Sequence, residues 1–165
     1  MIIRPLEARD VQAVLAIQAA CPEIAQWTAW DYDRVARGEM AGWIAEDGPL
    51  RSGSSAGAQA GTTTGTSTGT VAGFLVARRV LTDLEILNFA VTPRSRHLGN
   101  GALLLQEALA WAKNFEATRA ILEVRASNRA ALSFYERHKF EVVGRRPRYY
   151  TAPVEDALLL TAPIH

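Results

Sequence analysis

Apolar and polar positions along the chain follow two periods, and the switches between them mark out the elements. Ile2 and Ile3 predict a short first strand. Asp10 stands where a helix cap belongs, with Val11, Val14, Leu15 and Gln18 at helical spacing behind it and Pro22 marking the end. Residues Ala29 to Ala36 predict a second helix carrying Trp30, Tyr32 and Val35, closed by Gly38, and Gly42-Trp43-Ile44-Ala45 reads as a strand. The spacing then predicts strands over Val71 to Val80 and Leu84 to Val91, joined by a turn at Thr82-Asp83 and paired antiparallel. Pro93 ends the second of these. A long helix follows over Gly101 to Phe115, with Leu104, Leu105, Ala108, Leu109 and Ala112 as its apolar stripe. Ala120 to Val124 is a further strand, Ser127 the expected N-cap of a helix over Asn128 to His138, and Val142-Val143 and Ala157 to Leu160 supply two last strands. The order is α/β in the α+β sense: one domain over residues 1–165, with a mixed, mostly antiparallel central sheet flanked by helices.

The composition changes this picture in one place. Five of the chain's 12 glycines, Gly53, Gly57, Gly61, Gly65 and Gly69, recur every fourth residue between Arg51 and Thr70, a stretch otherwise dominated by Ser and Thr. Such a segment buries too little apolar surface to offset about 1 to 2 kcal/mol of chain entropy per residue, so residues 51–70 are expected to form a disordered, low-complexity connection between two paired strands. The net charge of +1 removes the broad attraction that non-specific binding to nucleic acid or anionic lipid requires, and neither is an expected partner. The single cysteine, Cys21, reads as a small core residue. With no secretory pattern at Met1 to Glu7, the expected compartment is the cytoplasm. The histidines lack metal-ligand spacing, so no metal is expected.

Three features carry candidate chemistry. Arg96, Gly99 and Gly101 form R-x-x-G-x-G after a strand and at the opening of a helix, where small residues let backbone N–H groups approach phosphate oxygens and the helix end adds about half a positive charge. An ordinary glycine turn would look the same. Glu123 lies in a strand whose alternation puts Ile121, Glu123 and Arg125 on one face and Leu122 and Val124 on the other. Partial burial there would make a proton acceptor, and an ion pair with Arg125 or another arginine is the competing reading. Asn128, Ala131 and Tyr135 share one helical stripe, so Tyr135 is either a proton donor or a packing residue. Tyr149-Tyr150, after Arg145, Arg146 and Arg148, either borders a substrate groove or marks a strand edge.

In order and spacing, Asn88-Phe-Ala-Val-Thr-Pro, Arg96-His-Leu-Gly-Asn-Gly, Leu122-Glu-Val-Arg-Ala-Ser-Asn, Leu132-Ser-Phe-Tyr-Glu-Arg-His-Lys-Phe and Arg148-Tyr-Tyr together resemble the GCN5-related N-acetyltransferase (GNAT) superfamily. Within it they are similar to the bacterial ribosomal-protein-alanine N-acetyltransferases of the RimI type. The resemblance covers about residues 71–160, and Trp27 stands near an aromatic position of the family. It implies an acetyl-coenzyme A enzyme acting on a protein N-terminal amine, the alanine of a small-subunit ribosomal protein, by direct attack. Phe89, Ala90 and Val91 would offer backbone to the acetyl and pantetheine groups. Arg96, His97, Leu98, Gly99, Asn100, Gly101 and Ala102 would hold the pyrophosphate, and Asn128 would touch the cofactor. Glu123 matches the family's general base and Tyr135 its general acid, with Asn88, Tyr149 and Tyr150 on the acceptor. The rival readings are acetylation of lysine, a polyamine or a small-molecule amine, and a non-catalytic coenzyme A-binding module.

Overall fold

A computed structural model describes residues 1–47 and 69–165. Among them are seven strands and four helices: β1 (Ile2–Pro5), α1 (Val11–Ala19), α2 (Ala29–Ala36), β2 (Ala41–Asp47), β3 (Thr70–Val80), β4 (Asp83–Val91), α3 (Asn100–Lys113), β5 (Arg119–Arg125), α4 (Arg129–Arg137), β6 (Glu141–Thr151) and β7 (Val154–Pro163). The strands form one sheet in the order β1-β2-β3-β4-β5-β7-β6. Every neighbouring pair is antiparallel except β4 and β5. The expected mixed, mostly antiparallel sheet with flanking helices is therefore the observed architecture.

Alternation along the strands gives each face its own core. On one side, α3 and α4 press Leu104, Leu105, Ala108, Ala112 and Tyr135 onto Trp43, Leu75, Leu84, Ile86, Leu122 and Leu160. On the other, Val11, Val14 and Ile17 of α1 and Tyr32 and Val35 of α2 cover Ile44, Phe74, Val76 and Ala90. Cys21 is buried in this second core, as its expected role requires.

Asp10 spends its carboxylate on Arg4, which binds both oxygens at 2.7 Å, and on the Glu7 N–H, so it clamps β1 to the turn before α1 and makes no side-chain cap. Helix α2 is opened by Thr28 and Asp31, each side chain accepting from the other's backbone N–H. For α4 the expected cap shifts by one residue. Asn128 accepts from the Ala131 N–H at 3.1 Å, while the Ser127 N–H is turned outward to Glu155. The last two strands are far longer than their apolar pairs suggest, because β6 is an edge strand whose residues are largely exposed and carry little hydrophobic pattern.

The expected disordered connection over residues 51–70 lies almost wholly outside the described residues. Its last residue, Thr70, begins β3 and pairs with Asp47 of β2. A Cβ at Gly69 would fall 1.9 Å from the Asp47 carbonyl oxygen, so only glycine permits this approach.

The sheet opens in its middle. Asn88 pairs with Val76 but Ile86 pairs with Ala77, which leaves Leu87 as an extra residue that bends β4. Strand β5 follows β4 only from Asp83/Arg119 to Ile86/Leu122, and past the bulge no ladder joins them. Two strands that start side by side and then diverge leave a wedge between their C-terminal ends.

Candidate active site

The wedge joins two cavities. One, of about 690 Å³, opens on the α3 and α4 side and is lined by Phe89, Ala90 and Val91, by the loop and helix start at Arg96, His97, Gly99, Gly101 and Ala102, and by α4 from Asn128 to His138. The other, of about 330 Å³, opens toward the loop between α1 and α2. It is lined by Ile24, Ala25 and Trp27, by Asn88, by Glu123 and Arg125, and by Arg146, Tyr149 and Tyr150. Glu23, Ile24, Phe89, Asn128, Ala131 and Tyr135 line both. A molecule entering from one face can thus meet a molecule entering from the other.

On the α3 side the walls suit a long anionic ligand. Gly99 caps α3 at φ +88°, preceded by His97 at φ +63°, and the first N–H groups of α3 have no partners within the helix. Gly99 is required by its backbone angle, since a Cβ there would meet nothing. Gly101 answers to packing, because a Cβ would come within 3.2 Å of the Phe134 ring and 3.4 Å of Phe89. The Thr92 N–H donates to Ala72 of β3, so alternation turns the backbone groups of Phe89 and Val91 away from β3 and into the wedge. Arg96 faces this cavity but is held by neighbours: Nη2 lies 2.9 Å from Glu23 and 3.3 Å from the Cys21 sulfur, and Nε donates to the Val91 carbonyl. Burial, the largest influence, raises the Cys21 thiol pKa.

Two expected members of the phosphate loop do not reach the cavity wall. Leu98 points to solvent with 70% of its surface exposed, and Asn100 is buried beneath the loop, donating to the Ser95 carbonyl. Arg137 supplies a cation on this wall that sequence reasoning missed. Its signal was helical: Ala130, Phe134 and Arg137 sit four and three residues apart, beside the Ala131–Tyr135 stripe.

On the opposite side Glu123 projects from the face alternation assigns to it. It forms an ion pair with Arg146 of β6 at 2.5 Å, so the ion-pair reading of this carboxylate is realised with an arginine other than Arg125. Its hydrogen bond also raises the Tyr149 phenol pKa, with burial adding to the effect. Tyr149 and Tyr150 lie on the edge strand, as one earlier reading had it, and also line the cavity. Arg125 is the brace behind them. It reaches Glu155 and the Ala152 and Pro153 carbonyls and stacks 4.1 Å from the Tyr150 ring centroid. Asp156 braces the other side of the hairpin, where Arg148 adopts φ +52°, by accepting from the Arg148 N–H and Arg145.

Tyr135 stands where the cavities meet, buried among Phe89, Phe134 and Phe140. Burial pushes its phenol pKa above the ordinary range, so at neutral pH it carries its proton. The site therefore offers a carboxylate on one side of a gap, a protonated phenol within it and unpaired strand N–H groups along its edge. Such a set can accept a proton from a nucleophile, polarise a carbonyl and protonate a leaving group. Among the described residues no group of three His, Cys, Asp or Glu side chains could hold a metal ion, and no helix is long and apolar enough to cross a membrane.

Comparison with known proteins converges on the same elements. A [ribosomal protein bS18]-alanine N-acetyltransferase of Escherichia coli strain K12 is 35% identical over 95 residues, 56% of this chain and 64% of that protein. The Salmonella typhimurium protein of the same description is 34% identical over 95 residues, again 56% and 64%. The aligned region thus spans less than two thirds of these relatives. In three dimensions the crystal structure of the Escherichia coli ribosomal-protein-S18-alanine N-acetyltransferase superposes with a TM-score of 0.73 at 25% identity, covering 99% of this chain and 93% of that one. Arabidopsis thaliana NAA60 in complex with acetyl-CoA shares the fold, with a TM-score of 0.80 at 20% identity over 99% and 98% of the two chains. Residues 21–140 match the acetyltransferase (GNAT) family. That match runs from the loop after α1 through the bent β4, the glycine turn, β5 and α4, which line the α3-side cavity and all but the β6 and β7 wall of the other, and the chain belongs to the acetyltransferase (GNAT) family.

Proposed function

We propose that this chain transfers an acetyl group from acetyl-coenzyme A to the N-terminal amine of a protein, with the alanine-starting N terminus of a small-subunit ribosomal protein as acceptor. The observation that carries the reading is the meeting of two cavities at the β4/β5 wedge, with Glu123 on one side and the protonated Tyr135 at the junction. The coenzyme supplies an activated acetyl thioester. Arg137, the α3 N terminus and the His97–Gly99 turn fit its pyrophosphate, and the wedge-facing backbone of Phe89 and Val91 fits its amides and thioester oxygen.

The acceptor enters past Ile24, Trp27 and Tyr149. As its nitrogen bonds to the acetyl carbon, Glu123 receives the nitrogen's proton, directly or through water, and Tyr135 gives its own to the departing sulfur. No covalent bond to the protein is needed. Releasing a proton from an α-amine, with pKa near 7.7 to 8.0, costs about 3.5 kcal/mol less at pH 7 than from lysine near 10.4, so a carboxylate paired to an arginine suits an N terminus. The acceptor class is supported by the relatives' printed activity and by the resemblance in residues 71–160.

Incubation with acetyl-coenzyme A and a small-ribosomal-subunit extract, read by intact mass, is expected to add one acetyl group to an alanine-starting protein. A peptide with a free N-terminal alanine is expected to be acetylated and its N-blocked counterpart is not. Turnover confined to lysine or small-molecule amines would overturn the reading.

A further inference from the structure

Beneath the acceptor-side cavity runs a buried relay whose polarity is set by the backbone. The Trp27 N–H donates to Gln18 Oε1 at 2.8 Å and Gln18 Nε2 donates to the Trp27 carbonyl at 2.8 Å, which fixes the orientation of the Gln18 amide. Gln18 Oε1 therefore faces Tyr32, and the Tyr32 hydroxyl must donate to it, at 2.7 Å. Burial raises the Tyr32 phenol pKa and keeps that proton in place. With its hydrogen committed, the Tyr32 oxygen can only accept from Asn88. Asn88 Nδ2 supplies that bond at 2.9 Å and uses its second hydrogen on the Ala25 carbonyl at 3.0 Å.

Both N–H groups of Asn88 are thus spent toward the helices, and the amide cannot flip without setting oxygen against oxygen. Its Oδ1, in a residue only 4% exposed, has no hydrogen-bond partner among the described residues. Asn88 sits one residue past the β4 bulge, at the mouth of the wedge, and lines the cavity that also holds Glu123. An amide oxygen held in this way is an acceptor without a donor.

We propose that Asn88 Oδ1, oriented by the Trp27–Gln18–Tyr32 relay, is the hydrogen-bond acceptor for an N–H of the incoming amine. The bond holds the nitrogen so that its lone pair faces the wedge while another N–H is left for Glu123. The inference rests on the acetyltransferase reading but not on which amine is the natural acceptor, since every primary amine carries the hydrogens it needs.

The test compares wild type with Asn88→Ala and Tyr32→Phe on three acceptors: an alanine-starting peptide, an N-blocked lysine peptide and spermidine. Asn88→Ala is expected to raise the KM of whichever acceptor the wild type uses by about tenfold while leaving the KM of acetyl-coenzyme A unchanged, a split that misfolding would not produce. Tyr32→Phe keeps the Asn88 oxygen but removes the hydroxyl that holds its Nδ2, and is expected to raise the same KM by a smaller factor. If an amine is acetylated and its KM is unmoved in Asn88→Ala, or raised more in Tyr32→Phe than in Asn88→Ala, the role of Asn88 falls and the acetyltransferase reading stands. If the wild type acetylates none of the three, both fall.

Discussion

Glu123 and Tyr135 illustrate how residue types become chemical groups only through their neighbours. Glu123 is paired with Arg146 and beside Tyr149, and Tyr135 is buried without a charged partner. In the proposed reaction both roles show in turnover and not in coenzyme binding. Glu123→Gln and Tyr135→Phe are each expected to lower kcat on the order of 100-fold with little change in acetyl-coenzyme A affinity, because in that reaction both act on proton transfer. Steady-state rates with calorimetry of coenzyme binding check this, and full activity in both variants would remove the assignment. The pH profile has a sign as well. Burial favours the neutral phenol, so its pKa moves up and the proton is lost only as pH rises beyond the ordinary value near 10. The wild-type kcat is therefore expected to show no falling limb from Tyr135 between pH 7 and about 10.

Strand alternation made the face of Glu123 legible, since period two holds over Ala120 to Val124. Its partner was not legible. Arg146 faces Glu123 only because β6 lies next to β7, β7 next to β5, and the β6/β7 register slips before Gly144. Three neighbouring arginines gave the sequence no means of choosing among them. Asn88 was legible as a residue of the motif, but the role proposed for it depends on an amide orientation inherited from Trp27 through two other side chains.

Helix α3 shows two glycines doing different jobs two residues apart. Gly99→Ala puts a Cβ into open space but at φ +88°, a strain of about 1 to 2 kcal/mol. Gly101→Val drives a branched side chain into Phe134 and Phe89, the rings between the glycine turn and Tyr135. The expected outcome is weakened acetyl-coenzyme A binding in both, with the larger loss in Gly101→Val, measured by calorimetry. Unaltered affinity would count against this helix start as the pyrophosphate site. The sequence showed the glycine pair and its place before a helix, whereas the rings against Gly101 come from β4 and α4 and required the fold. Element ends moved for local reasons. Asn128 caps α4 because its side chain reaches back to Ala131, a choice between adjacent Ser and Asn that propensity leaves open.

For the molecule as a whole, the proposed function depends on a sheet whose β4/β5 ladder is paired at one end and parted at the other. Where β2 meets β3, Asp47 pairs directly with Thr70, and neither residue lines either of the two cavities. Because closure entropy grows only with the logarithm of loop length, removing Ser52 to Thr68 is expected to leave folding and acetyl transfer within about twofold of wild type. Circular dichroism melts and the peptide assay check this, and an unfolded product would show that the segment is structural.

By itself the sequence determined which segments are strands and helices, which face of β5 bears the carboxylate, and where a glycine turn opens a helix. Each of these follows from periods of two or 3.6 residues and from backbone angles, which neighbours along the chain dictate. Tertiary structure alone decided that Leu87 is the extra residue that parts β4 from β5, that Arg146 takes Glu123 and Glu23 takes Arg96, and that Asn88 turns its nitrogen inward and leaves its oxygen unpaired. These depend on register between strands far apart in sequence and on burial. A one-residue slip would reverse them without altering any local pattern.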